Sequence, residues 1–308
     1  MTGDAQAWPD ELQGRIDKWL QAHPQQRITV NFVDRTRYAG HYALQALEQE
    51  MLDAAYGARE PQVVAARLQW WVEELSAAPA SGGHHPLTEL LFADRRARDI
   101  AVSTWTAPAL AAIEQLGRGT AADFNAQLDA AGVLHGALAT LETQWWYGSR
   151  ASAQRATRVA VLSHLLQALR GLTDDVDRDC LPLPMARLAQ HGLNRGQLRQ
   201  LTPASSQAVR DQLQDLQRGL GDSAGLPGPL SVFRAVQWRE ARQSVAHALA
   251  AGDSQAALAV VPARSGLWDT VLAWRAARAW QRADPWVPGH GSAAVGAAGA
   301  LGSDGVHH

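Results

Sequence analysis

Apolar residues recur three and four positions apart along nearly the whole chain, and no stretch of strict alternation marks a strand. Val64, Leu68, Trp71 and Leu75 form one stripe. A longer one runs through Phe124, Leu128, Ala131, Leu134, Leu138, Leu141 and Trp145, with Thr120 and Asp123 ahead of it at capping-box-like spacing. A helix of that length reaches ~40 Å. Arg158, Leu162, Leu165, Leu169 and Leu172 mark the next face, which ends at the acidic run from Thr173 to Asp177 and the breaker Leu181-Pro182-Leu183-Pro184. Thr202-Pro203 reads as an N-cap and first helical residue, ahead of Val209, Leu213, Leu216 and Leu220. Phe233, Val236, Ala241, Val245 and Leu249 suggest another helix, Asp253 caps a short one, and Leu267, Val271, Trp274 and Ala277 mark the last.

These stripes predict an all-α protein. The breaks at Ala77 to Pro86 and Gly221 to Pro229 are loop-sized, and no linker interrupts Arg27 to Arg282. The expected layout is an N-terminal segment over 1–26, one helical domain over 27–284, and a disordered Gly/Ala-rich tail over 285–308. The tandem tryptophans Trp70-Trp71 and Trp145-Trp146 lack matching flanks, so they are read as core and rim aromatics rather than a repeat.

Hydrophobic residues make up 46% of the 308, enough for a large buried core. Lys+Arg 28 against Asp+Glu 30 gives no basic field, which argues against nucleic acid as a partner. Lys18 is the sole lysine, and Cys180 the sole cysteine, so neither an intrachain disulfide nor a cysteine-built zinc site is possible. No apolar run approaches the ~18–20 residues of a spanning helix. Met1 to Asp10 has no basic segment followed by an apolar one. A cytoplasmic protein, at most peripheral to a membrane, is the expectation.

Three segments together resemble the squalene/phytoene synthase family. The first is Arg37-Tyr38-Ala39 through Ala43-Leu44, then Arg67-Leu68-Gln69-Trp70-Trp71 and His85-Pro86-Leu87. The second is Leu165 to Arg170 with the acidic run, Leu181-Pro182, and His191-Gly192-Leu193 behind it. Leu267-Trp268 with Leu272-Ala273-Trp274-Arg275-Ala276-Ala277-Arg278 is the third, similar to the closing helix of a bacterial branch. The resemblance covers about Arg35 to Arg278 and implies an isoprenoid synthase fold, a helical bundle around a central cavity.

In active members two Asp-rich motifs face each other across that cavity and hold magnesium ions, which bind a prenyl diphosphate. Mg²⁺ suits the task because it takes oxygen ligands and bridges carboxylates to phosphates. Here the resemblance puts the first pair of aspartates at Leu52 and Tyr56, with Glu48, Glu50 and Asp53 nearby, and the second pair at Gly171 and Asp175, with Asp174 adjacent. Asp174 and Asp175 are therefore the metal candidates, though an acidic run is also what a solvated helix end looks like. Arg37, His41, Gln45 and Glu48 are the candidate ligand-binding residues. His84-His85 offers a weaker metal pair, since adjacent side chains point apart. Such erosion resembles the branch that contains a mitochondrial respiratory-complex assembly factor. It implies a non-catalytic or altered protein that binds a prenyl or lipid-like ligand or a partner protein. No cofactor is expected on that reading; an active Mg²⁺-dependent enzyme condensing two prenyl diphosphates head to head is the alternative.

Overall fold

The computed structural model describes residues 10–58, 60–172, 180–200, 202–259 and 266–286. Among them the architecture is all helical, with no strand. The acidic residues Asp174 and Asp175, and the tail from 287, lie outside the described residues.

The first half is built from α1 (Asp10–Ala22), α2 (Ala39–Tyr56), α3 (Pro61–Ser81), α4 (Pro86–Ala93) and α5 (Val102–Glu114). They bury Ile16, Tyr42, Leu47, Leu68, Leu75, Leu91 and Trp105 in one core cluster. The α3 stripe read from the sequence is the buried one: Val64, Leu68, Trp71 and Leu75 all face inward. This helix continues through Pro79 to Ser81, further than the predicted break at Ala77, and stops at Gly82, whose left-handed φ of 85° ends it. His85 then caps α4, accepting from the Leu87 N–H at 3.2 Å. Glu74 accepts the backbone N–H groups of His84 and His85 at 2.7 and 3.0 Å. The histidine pair thus closes a turn.

The spine is α6 (Phe124–Tyr147), whose 24 residues reach about 36 Å. Its cap is Asp123, which accepts from the Ala126 N–H at 2.9 Å. Thr120, placed by its spacing as the start of a capping box, instead accepts from the Leu181 N–H at 3.0 Å and ties the segment after the acidic run to the head of α6. Trp70 is half exposed, whereas Trp71, Trp145 and Trp146 are buried, so only the first tandem splits into core and rim.

Beyond α6 come α7 (Gln154–Arg170), α8 (Met185–Gln190), α9 (Pro203–Asp222), α10 (Val232–Ala250) and α11 (Ser254–Ala259). Leu162, Leu166, Leu213, Leu216, Val245 and Leu258 form a second cluster among them. Thr202 caps α9 as the sequence predicts, accepting from the Ser205 N–H at 3.1 Å. Both clusters draw on α6 and α10: Leu134 and Phe233 belong to the first, Ala131 and Ala241 to the second. The helices therefore make one bundle. The last helix, α12 (Leu267–Ala283), lies against α10, burying Ala273, Ala277 and Trp280. No helix among the described residues is long and apolar enough to cross a membrane.

Candidate functional site

The inward face of α2 carries His41, Gln45, Glu48, Leu52 and Tyr56 at spacings of three and four. Arg37 precedes the helix, is exposed, and stacks on the ring of Tyr38 at 5.2 Å. Of the four candidate ligand-binding residues, the structure brings together His41, Gln45 and Glu48 on one helix face and leaves Arg37 outside.

His41 is boxed by aromatic rings. Tyr38, Trp145, Trp146 and Trp280 lie 4.3–6.0 Å from its centroid. Neither ring nitrogen has a hydrogen-bond partner among the described residues. Burial, with the charge of Arg96 adding to it, drives its pKa well below the ordinary histidine value, so the ring is neutral. Its ring stands at 89° to that of Trp146, the edge-to-face arrangement that aromatic quadrupoles favour.

One and two turns on, Gln45 and Glu48 meet two residues that the sequence reading did not single out. Arg234, the third residue of α10, is 3% exposed and donates to Glu142 Oε2 at 2.7 Å and to Glu48 Oε2 at 2.9 Å. Gln45 donates to Glu142 Oε1 at 3.3 Å, and Ser231, the α10 cap, donates to the same oxygen at 2.5 Å. Burial lifts the Glu142 pKa, Arg234 pulls it down, and Glu48 pushes it up again. The net direction is upward. The Arg234 guanidinium, although disfavoured by burial, is held charged by both carboxylates. A signal for Glu142 did exist: it is an acid flanked by Leu138, Leu141 and Trp145 on a helix with no lysine or arginine. The space beside this cluster is small, with voids of about 50 and 10 Å³.

At the end of α2, Tyr56 stacks with His164 of α7, centroids 5.2 Å apart, and its hydroxyl lies 3.5 Å from His135 Nε2 of α6. The two imidazoles stack on each other at 4.0 Å. Burial pushes His164 down to about 4 and His135 well below its ordinary value, helped there by the charge of His164. Cys180, the first described residue after the acidic run, is close enough to act electrostatically on the Tyr56 phenol. The end of α2 and the return from the acidic run therefore adjoin.

A magnesium ion does not fit what α2 offers. Leu52 and Tyr56 occupy the positions where the resemblance places aspartates, and Glu48 is engaged by Arg234. Glu50 and Asp53 lie outside, paired with Arg15 and Lys18 at 3.2 and 2.7 Å. Among the described residues no three histidines, cysteines or acids gather as a metal would need. These outer pairs line a groove of about 840 Å³ with Val63, Ala66, Arg67 and Trp70 of α3.

No protein-family model matches the sequence, and no curated protein matches it. Solved structures do. The chain is similar to squalene synthase HpnC from Alicyclobacillus acidocaldarius, at 16% identity and a TM-score of 0.57, over 82% of this chain and 94% of that one. It is also similar to a dehydrosqualene synthase solved with a ligand, at 9% identity and a TM-score of 0.66, over 89% of this chain and 98% of the other. At such identities the likeness establishes the fold: a squalene/phytoene synthase-like bundle of the isoprenoid synthase type. What the site does rests on its own residues.

Proposed function

We propose that this protein binds a prenyl or lipid-like ligand and does not join prenyl diphosphates. One observation carries the reading: the inward face of α2 presents no available carboxylate, because Arg234 takes Glu48 and the two positions beyond it hold Leu52 and Tyr56. Head-to-head condensation by the synthases of this fold depends on metals held between two carboxylate motifs, which neutralise the departing diphosphate. With one motif missing its ligands, Asp174 and Asp175 are left without the second set of carboxylates that such an ion needs. Losing positioned metals removes several kcal/mol of transition-state stabilisation, at about 1.36 kcal/mol per tenfold in rate. The groove against α3 has the volume of a small-molecule site. Its apolar Val63 and half-exposed Trp70, with Arg67 beside them, suit a greasy chain with an anionic head.

The test pairs two measurements on the purified protein. Farnesyl or geranylgeranyl diphosphate with Mg²⁺ is expected to yield no diphosphate, from the wild type or from Asp175→Ala. Farnesyl diphosphate without metal is expected to bind, and Trp70→Ala to weaken that binding at least tenfold. Release that disappears in Asp175→Ala would establish an Mg²⁺-dependent enzyme. Absence of any binding would overturn the ligand assignment.

A further inference from the structure

Of the apolar stripe that marks α12 in the sequence, the helix buries only Ala277. Its inner face is made of Ala273, Ala277 and Trp280, all at most 3% exposed. Ala273 packs with Ile28 and Val236, and Trp280 lies 4.7 Å from both Tyr38 and Trp146. Two alanines let the helix approach closely, and, Trp280 apart, its largest side chains lie on the opposite side. Leu267, Trp268 and Trp274 are 77, 70 and 52% exposed, the three highest values among the described large apolar residues apart from Met185 at 53%.

Interleaved with them are Arg275, Arg278 and Arg282, each exposed and with no carboxylate partner among the described residues. At 100° per residue, these six positions fall within about a third of the helix circumference. No acid shares that face. Asp269, the only acid in the helix, is turned onto Arg239 of α10, and Asp284 just beyond is buried against Arg96 at 3.2 Å. Against a chain whose formal charge is −2, the positive charge here is local.

We infer that this outer face of α12 docks the protein on an anionic lipid bilayer surface. Tryptophan is the side chain best suited to the boundary between headgroups and acyl chains, because its body is apolar and its N–H is polar. Leucine and two tryptophans on one face, with arginines beside them, have the composition of a helix that lies in the plane of the interface. The arginines supply the choice of anionic over neutral lipid, each adding attraction near a negatively charged surface. A neutral apolar partner would leave three guanidinium groups without counter-charge, whereas a phosphate-rich surface satisfies all three.

Flotation of the full chain with vesicles tests this. Vesicles of phosphatidylcholine with about a third phosphatidylglycerol are expected to carry the protein on the order of tenfold to a hundredfold better than pure phosphatidylcholine, and less so at high salt. Trp268→Ser with Trp274→Ser should cut binding to both vesicle types. Arg275→Gln, Arg278→Gln and Arg282→Gln together should abolish the preference for anionic lipid. Leu110→Ala, an exposed apolar residue on α5, should change neither. All these positions are at the surface, so unchanged circular dichroism confirms that each variant is folded. Absence of wild-type flotation overturns the inference, as does flotation insensitive to the tryptophan pair. So does a dimer that the tryptophan pair splits while vesicles carry nothing, since the face would then be covered by a second copy.

Discussion

Replacing Arg234 by methionine keeps most of the side-chain volume and removes the one cation between buried Glu142 and partly buried Glu48. Glu142, 2% exposed, then has no counter-charge and only Gln45 and Ser231 as donors. It can relieve the burial by taking up a proton. At pH 7.5, holding a proton on a carboxyl whose ordinary pKa is 4.5 costs about 4 kcal/mol, at about 1.36 kcal/mol per pH unit. This agrees with the ~3–5 kcal/mol seen when one partner of a buried pair is deleted. The sign follows from linkage. With the folded-state pKa raised, the folded chain binds more protons than the unfolded one, so the variant loses stability as pH rises. Urea unfolding of wild type and Arg234→Met at pH 7.5 and 5.5 measures the difference. The penalty should shrink by about 2–3 kcal/mol at the lower pH. Adding Glu142→Gln should recover most of the loss at pH 7.5. A penalty under about 1 kcal/mol, or one that is flat with pH, would refute the reasoning. Glu142 would then carry its proton with Arg234 in place, and the cluster would be no ion pair.

The buried neutral histidines predict the opposite pH trend in the wild type. His41, His135 and His164 have folded pKa values pushed below the ordinary 6.5 by burial, His164 to about 4. Unfolding binds protons, so their contribution is intact above about pH 6.5 and falls as pH drops towards 4, by up to about 3 kcal/mol for His164 alone. His41→Phe should keep the aromatic packing and remove its share of this acid sensitivity; a wild-type urea midpoint unchanged between pH 7 and 5 would contradict the assignment. Gly40→Ala should cost about 1–3 kcal/mol, because an added Cβ would sit 2.7 Å from the buried indole of Trp145. An unchanged thermal midpoint would mean that α2 and α6 can separate there.

Element type was legible in the sequence because it depends on local spacing: the stripes of α3 and α9 are the faces those helices bury, and Thr202 and Asp253 cap as their side-chain chemistry requires. The departures at Leu52 and Tyr56 could also be seen, since they are questions of residue identity. What fills the space behind α2 could not. Glu48, Glu142 and Arg234 are 92 and more residues apart along the chain, and only the packing of α2, α6 and α10 makes them neighbours. The same holds for Tyr56 with His135 and His164. Periodicity found α12 but not its buried face, since only Ala277 of the stripe turns inward. A helix carrying two alanines and one tryptophan on one side and leucine and two tryptophans on the other has two apolar faces. Only the packing of α12 against α10 and α6 decided that Ala273, Ala277 and Trp280 go inward while Leu267, Trp268 and Trp274 meet solvent.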